Sequence, residues 1–154
     1  MPAPQPGPVP RIVAGIDGSP SSQEALRWAV RQAELTGGTV DAVIAWEYPA
    51  AIGGYGWAPA SVIDDFDFGQ IATKTVADAV SSVVGASSKV SIRQLVVEDH
   101  PVQALMNAAA GADLLVVGSR GLGSFAGALI GSVSQHLVQH APCPVVIIRG
   151  DGQH

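Results

Sequence analysis

Residues 113–149, DLLVVGSRGLGSFAGALIGSVSQHLVQHAPCPVVIIR, contain a strand, a loop, a helix and a second strand in one run. Positions 113–117 are an aliphatic stretch of strand length, and 144–149 (PVVIIR) are another. Between them a short helix is predicted from about Ser132 to His140, stopped by Pro142. The first strand runs straight into five glycines (118, 121, 123, 127 and 131) within fourteen positions. Glycine loses more backbone entropy on folding than any other residue, so such a cluster needs a reason. It is a slack surface loop, a tight turn, or a place where backbone amides must approach a ligand closely.

The same alternation extends back to the start of the chain. Positions 12–16 (IVAGI) form a short apolar run ending at Asp17. The next segment, GSPSSQEALRWAVRQAELTGG, carries two competing helix starts: Ser19 before Pro20, and a capping box of Ser21 with Glu24. Its stripe is Leu26, Ala29, Val30 and Ala33, closed by Gly37-Gly38. TVDAVIAW (39–46) is a second strand, and 47–63 show no period. From Phe68 to Val83 apolar residues keep helical spacing, with Asp64, Asp65 and Asp67 near the start, where the helix dipole favours acids. Positions 90–97 read as a third strand, and Pro101 opens a helix with stripe Val102, Leu105, Met106 and Ala109, ending at Gly111.

Strand and helix alternating through five strands predict an α/β protein: a five-stranded parallel sheet with helices on both faces. Strands of almost continuous Val, Ile and Leu agree, because both faces of such a sheet are covered. Ligands of these folds bind beyond the carboxyl ends of the strands, where the strand order reverses. That directs attention to Asp17–Ser19, Ala45–Glu47, Glu98–His100 and the stretch from Gly118 onward.

Composition narrows the setting. The chain has 154 residues, 47% apolar and 14% charged, which suits one well-packed domain. No apolar run nears the ~18 residues of a membrane span, so no membrane partner is expected. Residues 1–10, MPAPQPGPVP, lack the basic start and apolar core of a secretory signal and read as a disordered or polyproline-like tail. The domain is placed at 11–150. A single cysteine, Cys143, rules out an internal disulfide, suits a reducing cytoplasm, and reads as a buried structural thiol. Net charge is −5 with no Lys/Arg cluster, which argues against nucleic acid as a partner.

Several phosphate and nucleophile motifs fail against the glycine stretch. A Walker A loop needs a lysine, and none follows Lys89. Gly121, Gly123 and Ala126 formally match GxGxxA, but no acid stands about 20 residues on, as a dinucleotide fingerprint wants. A GxSxG elbow is absent. What remains is Gly118-x2-Gly121-x9-Gly131-Ser132, from a strand end to a helix N-terminus, where backbone N–H groups and the helix dipole suit a phosphate chain. Ser132 and Ser134 add hydroxyls, and Arg120 the nearby fixed charge.

With GSRG…GS after strand four, Gly15-Ile-Asp17-Gly-Ser19 closing strand one, and APCPVVIIR at 141–149, residues 11–149 resemble the universal stress protein family. The glycine spacing resembles that of its ATP-binding members. The resemblance implies a Rossmann-like, three-layer α/β/α fold of the adenine nucleotide alpha-hydrolase-like kind. It implies ATP, or alternatively AMP or cyclic AMP, as ligand. Asp17 would lie beside the ribose, with Gly18 and Ser19 next to it, and could help hold Mg2+; as an alternative it caps the helix start. Ala45 or its neighbour Trp46 would lend backbone groups to adenine. The phosphates would take the backbone amides of Gly118, Ser119, Arg120, Gly121, Gly131 and Ser132, with Val133 and Ser134 just behind. It also implies a homodimer through the C-terminal strand, 144–149, an aliphatic edge otherwise exposed to pairing.

One departure is the run Glu98-Asp99-His100-Pro101, where the family often has a glycine. Two acids near a triphosphate would repel it, unless Asp99 caps the following helix and points away. His136 and His140 stand four apart, a spacing able to chelate a metal. No acid or cysteine of that helix completes a set, so the pair reads as a polar face and no metal site is expected. Tyr55 and Trp57 are either a lid over adenosine or ordinary loop packing. Ser119, Ser124, Ser132 and Ser134 are equivalent candidates for accepting phosphate.

No nucleophile–base constellation is visible, so no catalytic residue is assigned. The expectation is a cytoplasmic, nucleotide-responsive regulator of the stress response with an unidentified protein partner. A slow Mg2+-dependent ATP hydrolase or autokinase using Asp17 is the alternative from another class, and a dimeric scaffold without nucleotide is a third.

Overall fold

The computed structural model describes residues 9–48, 67–85, 89–121 and 130–150. The tail 1–8, the acids Asp64 and Asp65, the lid candidates Tyr55 and Trp57, and Gly123, Ser124, Ala126 and Gly127 lie outside the described residues. The elements are β1 (Arg11–Ile16), α1 (Pro20–Thr36), β2 (Thr39–Trp46), α2 (Phe68–Val83), β3 (Ile92–Glu98), α3 (Pro101–Ala109), β4 (Leu114–Gly118), α4 (Ser132–His140) and β5 (Val145–Ile148). The strands form one parallel sheet in the order β3-β2-β1-β4-β5.

Crossover handedness explains the layers. The chain steps outward from β1 to β3 and then returns to the other side of β1 for β4 and β5. With every crossover right-handed, that reversal must move the later helices to the opposite face. Accordingly Ile12, Ala14 and Ile16 of β1 and Val40, Ala42 and Ile44 of β2 pack under Leu26 and Ala29 of α1 and Val76 of α2. Val13, Val43, Leu115 and Val117 point the other way, against Leu105 of α3 and Leu137 of α4. Alternation along each strand thus serves two cores, which is why the strand sequences read as apolar throughout.

β2 spans the residues expected of it, and the bounds of the other strands differ from those expected by one or two residues. Pro144 stands outside β5 yet its carbonyl accepts from Leu115 N, and Ser91, just before β3, accepts from Val40 N. Hydrogen bonding also reaches back to Pro10, whose carbonyl accepts from Thr39 N at 2.9 Å.

Of the two possible starts for α1, Ser19 wins. Its hydroxyl oxygen accepts from Ser22 N at 3.2 Å with Pro20 in the first turn, and Gly37 closes the helix at φ +73°. The Ser21/Glu24 box does not form: Ser21 Oγ donates to the Arg120 carbonyl, and the Glu24 carboxylate pairs with Arg27. Asp67 caps α2, accepting from Gln70 N at 3.0 Å. The start of α3 corrects an expectation. His100, not Asp99, is the N-cap, its Nδ1 accepting from Val102 N, while Asp99 Oδ1 accepts from His100 N.

One ion-pair cluster was not anticipated. Asp41 is buried in β2, taking guanidinium N–H groups from Arg11 at 3.0 Å and Arg93 at 2.9 Å. Arg11 also donates to the carbonyls of Ala108 and Ala110 at the end of α3. Cys143 is half-buried rather than buried, and desolvation pushes its thiol above the ordinary value, with Arg11 opposing and Asp113 adding to the shift. Among the described residues, no helix is long and apolar enough to cross a membrane.

Candidate functional site

The reversal in strand order falls between β1 and β4, and a cavity of about 240 Å3 opens beyond their carboxyl ends. Its apolar lining includes Val43, Ala45, Pro101 and Leu105. Its other lining residues include Asp17 and Ser19 after β1, Arg120 and Gly121 after β4, and Ser132, Val133 and Ser134 opening α4.

Of the anticipated residues, Asp17, Ser19, Ala45, Gly118, Arg120, Gly121, Gly131, Ser132, Val133 and Ser134 line this cavity, and Gly18, Trp46 and Ser119 do not. Gly18 supplies a left-handed turn at φ +85°. Of Ala45 and Trp46, Ala45 lines the cavity. The Trp46 carbonyl accepts from Asp99 N, and its ring sits edge-on to Tyr48 with centroids 5.5 Å apart. Ser119 is buried and works inside the fold. Its N–H donates to the Ile148 carbonyl at 2.8 Å, and its own carbonyl accepts from Gly131 N. The amides of Ser119 and Gly131, expected on phosphates, are therefore engaged with backbone.

The donors that remain are concentrated at one place. Gly131 is the N-cap of α4 and has no side chain to cap the helix, so no side-chain hydrogen bond covers the first turn. The N–H groups of Ser132, Val133 and Ser134 lack i−4 partners by helix geometry and stand at the cavity. The first intrahelical bond is Gln135 N to Gly131 O at 2.9 Å. The two serines differ. Ser134 is buried and its hydroxyl donates to the Gly118 carbonyl at 2.6 Å, so it holds α4 against β4. Ser132 is exposed at the mouth.

Asp17 does not cap α1, which Ser19 does, but it lies in the turn just before it and lines the cavity. Its Oδ1 accepts from Ser19 N at 2.8 Å, shaping the turn into α1, and its carboxylate faces the cavity beside Gly121. A Cβ added at Gly121 would meet Asp17 Oδ2. Glu98 and Asp99 do not line the cavity, so the repulsion raised by that run does not act from its walls. Among the described residues, the charged ones lining the cavity are Asp17 and Arg120, one of each sign.

Some lining residues were missed. Val43 was legible, since it shares a face of β2 with Ala45, two positions on. Gly15 is closely packed: a Cβ there would lie 3.0 Å from the Leu105 side chain and 3.1 Å from that of Val117. Nothing local marks that packing, which arises from α3 and β4.

Comparison with known proteins follows the geometry. The model of the universal stress protein family matches residues 8–149. A universal stress protein of Mycobacterium tuberculosis is 35% identical over 151 residues, covering 91% of this chain and 48% of its own length. One from Mycolicibacterium smegmatis is 32% identical over 154 residues, covering 92% and 49%. The chain thus spans about half the length of these relatives. Among solved structures, UspA of Lactobacillus plantarum superposes with a TM-score of 0.73 at 21% identity, covering 94% of this chain and all of its own. A universal stress protein in complex with cAMP superposes with a TM-score of 0.58 at 28% identity, covering 93% and 98%.

Proposed function

Because the chain belongs to the universal stress protein family, we propose that it binds an adenine nucleotide in the cavity beyond β1 and β4 and acts as a nucleotide-responsive regulator of the stress response in the cytoplasm. The observation that carries this reading is the uncapped N-terminus of α4, whose first-turn amides open onto that cavity. Such amides, with the helix dipole behind them, stabilise an anion without any lysine.

The apolar and polar lining residues match the two ends of a nucleotide. Val43, Ala45, Pro101 and Leu105 offer an apolar slot for the base. The Asp17 carboxylate accepts from ribose hydroxyls and can contribute to a Mg2+ site, as carboxylates do beside phosphates. The amides of Arg120, Gly121, Ser132, Val133 and Ser134, with the Ser132 hydroxyl, take the phosphates. ATP is the leading ligand on the glycine spacing. Cyclic AMP or AMP is the second reading, favoured by the cAMP complex of the 28% identical relative and by a lining that, among the described residues, has no excess positive charge.

A ligand seated there touches the ends of β1, β4 and α4 together, so its phosphates would tie α4 to α1 across the sheet. That change in order is the signal offered to a second copy bound along β5 and to a protein partner. The test is calorimetric titration of nucleotide-stripped protein with ATP, AMP and cyclic AMP, each with and without Mg2+. Micromolar binding of ATP supports the leading reading, tighter binding of cyclic AMP or AMP the second, and binding of none overturns both.

A further inference from the structure

We propose that the exposed face of α4 carries an exchangeable transition-metal site made by His136 and His140, distinct from the nucleotide cavity at the other end of the helix. The two side chains are one helical turn apart and both exposed, while Leu137 between them points into the core and fixes which way that face looks. Their rings are already together, with centroids 4.6 Å apart and planes tilted by 45°.

That separation is compatible with chelation. Two metal–nitrogen bonds of about 2.0–2.1 Å to one ion place the ring centres roughly 4.5 Å apart at a right angle and roughly 5.2 Å apart at a tetrahedral one. The last turn of a helix also presents free carbonyls and the negative end of its dipole, which favours a cation there. Imidazole is a borderline ligand that suits Cu2+, Ni2+ and Zn2+ and not the oxygen-seeking Mg2+ or Ca2+. Among the described residues no three His, Cys, Asp or Glu side chains converge, so the set is two imidazoles completed by water. Cys143, three residues past His140, turns its Sγ to the Pro144 carbonyl instead. Two ligands on a surface make a site that exchanges its ion, not one that retains it through folding. Bridging positions four apart also clamps the turn between them, so an ion here stiffens the helix whose first turn lines the cavity.

The experiment is titration of the metal-free full chain with Cu2+, Ni2+, Zn2+ and Mg2+ by calorimetry, with imidazole proton spectra recorded in parallel. One Cu2+ per chain is expected, bound more tightly than Ni2+ or Zn2+, with no response to Mg2+. Cu2+ should broaden the His136 and His140 ring signals before those of His100 and His154. His136→Gln and His140→Gln should each weaken binding at least tenfold, while Cys143→Ser leaves it unchanged. Absence of Cu2+ binding, equal affinity in His136→Gln, or loss of binding in Cys143→Ser each overturns the proposal. Nucleotide binding is not used as a readout, so failure here leaves the nucleotide reading standing, and the reverse.

Discussion

Ser21 is a buried hydroxyl in the first turn of α1, and two loops converge on it from far along the chain. Its Oγ donates to the Arg120 carbonyl at 2.5 Å; a Cβ added at Gly118 would come within 2.7 Å of its backbone carbonyl carbon, and one at Gly150 within 3.4 Å of its Cβ. The two outer glycines of the GxxG motif therefore have different physical jobs. Gly118 is required for packing: Gly118→Ala drives a methyl into backbone that cannot move away, and overpacking of this kind costs about 1–3 kcal/mol. The expected outcome is a lower melting temperature with or without nucleotide, which makes this substitution a stability variant and not a test of binding. Gly121→Ala meets only the end of the Asp17 side chain. It should melt within a few degrees of the parent and lose at least tenfold in nucleotide affinity, because the displaced carboxylate intrudes on the ligand. Thermal melts and calorimetry on the pair separate the two roles; equal loss of stability in both would sink the distinction. The spacing of these glycines is plain in the sequence, but the reason for each is not, since it lies in a partner about a hundred positions away.

At the scale of elements, α4 matters more for what is missing at its start than for what it contains. Gly131 has φ −72° and ψ 162°, a conformation any residue adopts, so glycine is not needed there for backbone geometry. Gly131→Asp would set a carboxylate on the first-turn amides and cap the helix. Replacing glycine at an N-cap by aspartate changes stability by only a few tenths of a kcal/mol, usually favourably. The expected result is unchanged or slightly raised melting temperature together with nucleotide affinity reduced at least tenfold, read by the same two measurements. Retained affinity would mean that phosphates do not use this helix end. The elements themselves were legible where their signal is local: the apolar stripes of α1 and α2 and the run-on from β4 into glycine follow from side-chain period alone. Where tertiary contacts arbitrate, the sequence was silent. Ser21 loses the capping contest to Ser19 because its hydroxyl is engaged by Arg120, and His100 takes the cap expected of Asp99. Asp41 sits in an otherwise apolar strand, and its partners Arg11 and Arg93 come from β1 and β3. Asp41→Ala takes the carboxylate from two guanidinium groups; Arg11 keeps the Ala108 and Ala110 carbonyls and Arg93 is mostly solvated, so a modest loss of stability is expected in chemical denaturation.

The whole molecule has one open question of assembly, at the edge strand β5. The parallel five-stranded sheet was readable because alternating units of this length allow few arrangements, and the reversal of strand order, which the sequence did not specify, is where the cavity lies. What covers an edge is different information, since the pattern VVII has the same appearance whether the strand ends a sheet or continues into another copy. All four residues of β5 are only partly buried in the single chain. The hydrogen bonds show which groups are free for pairing. The Pro144 and Ile148 carbonyls face β4, accepting from Leu115 N and Ser119 N. Because successive residues of a strand point their backbone groups to opposite sides, Val145 and Ile147 direct theirs outward. An aliphatic edge left in this state invites pairing with its own kind, and we expect two chains to join β5 to β5. Ile147→Pro removes one outward N–H while leaving every bond to β4 in place, so it discriminates edge pairing from packing of side chains. The substituted protein should elute as a monomer by size exclusion with light scattering, keep its circular dichroism spectrum and still bind nucleotide, whereas the parent should elute as a dimer. If the Ile147→Pro protein remains dimeric at the same concentration, the copies meet on another surface and β5 is left as a solvated edge.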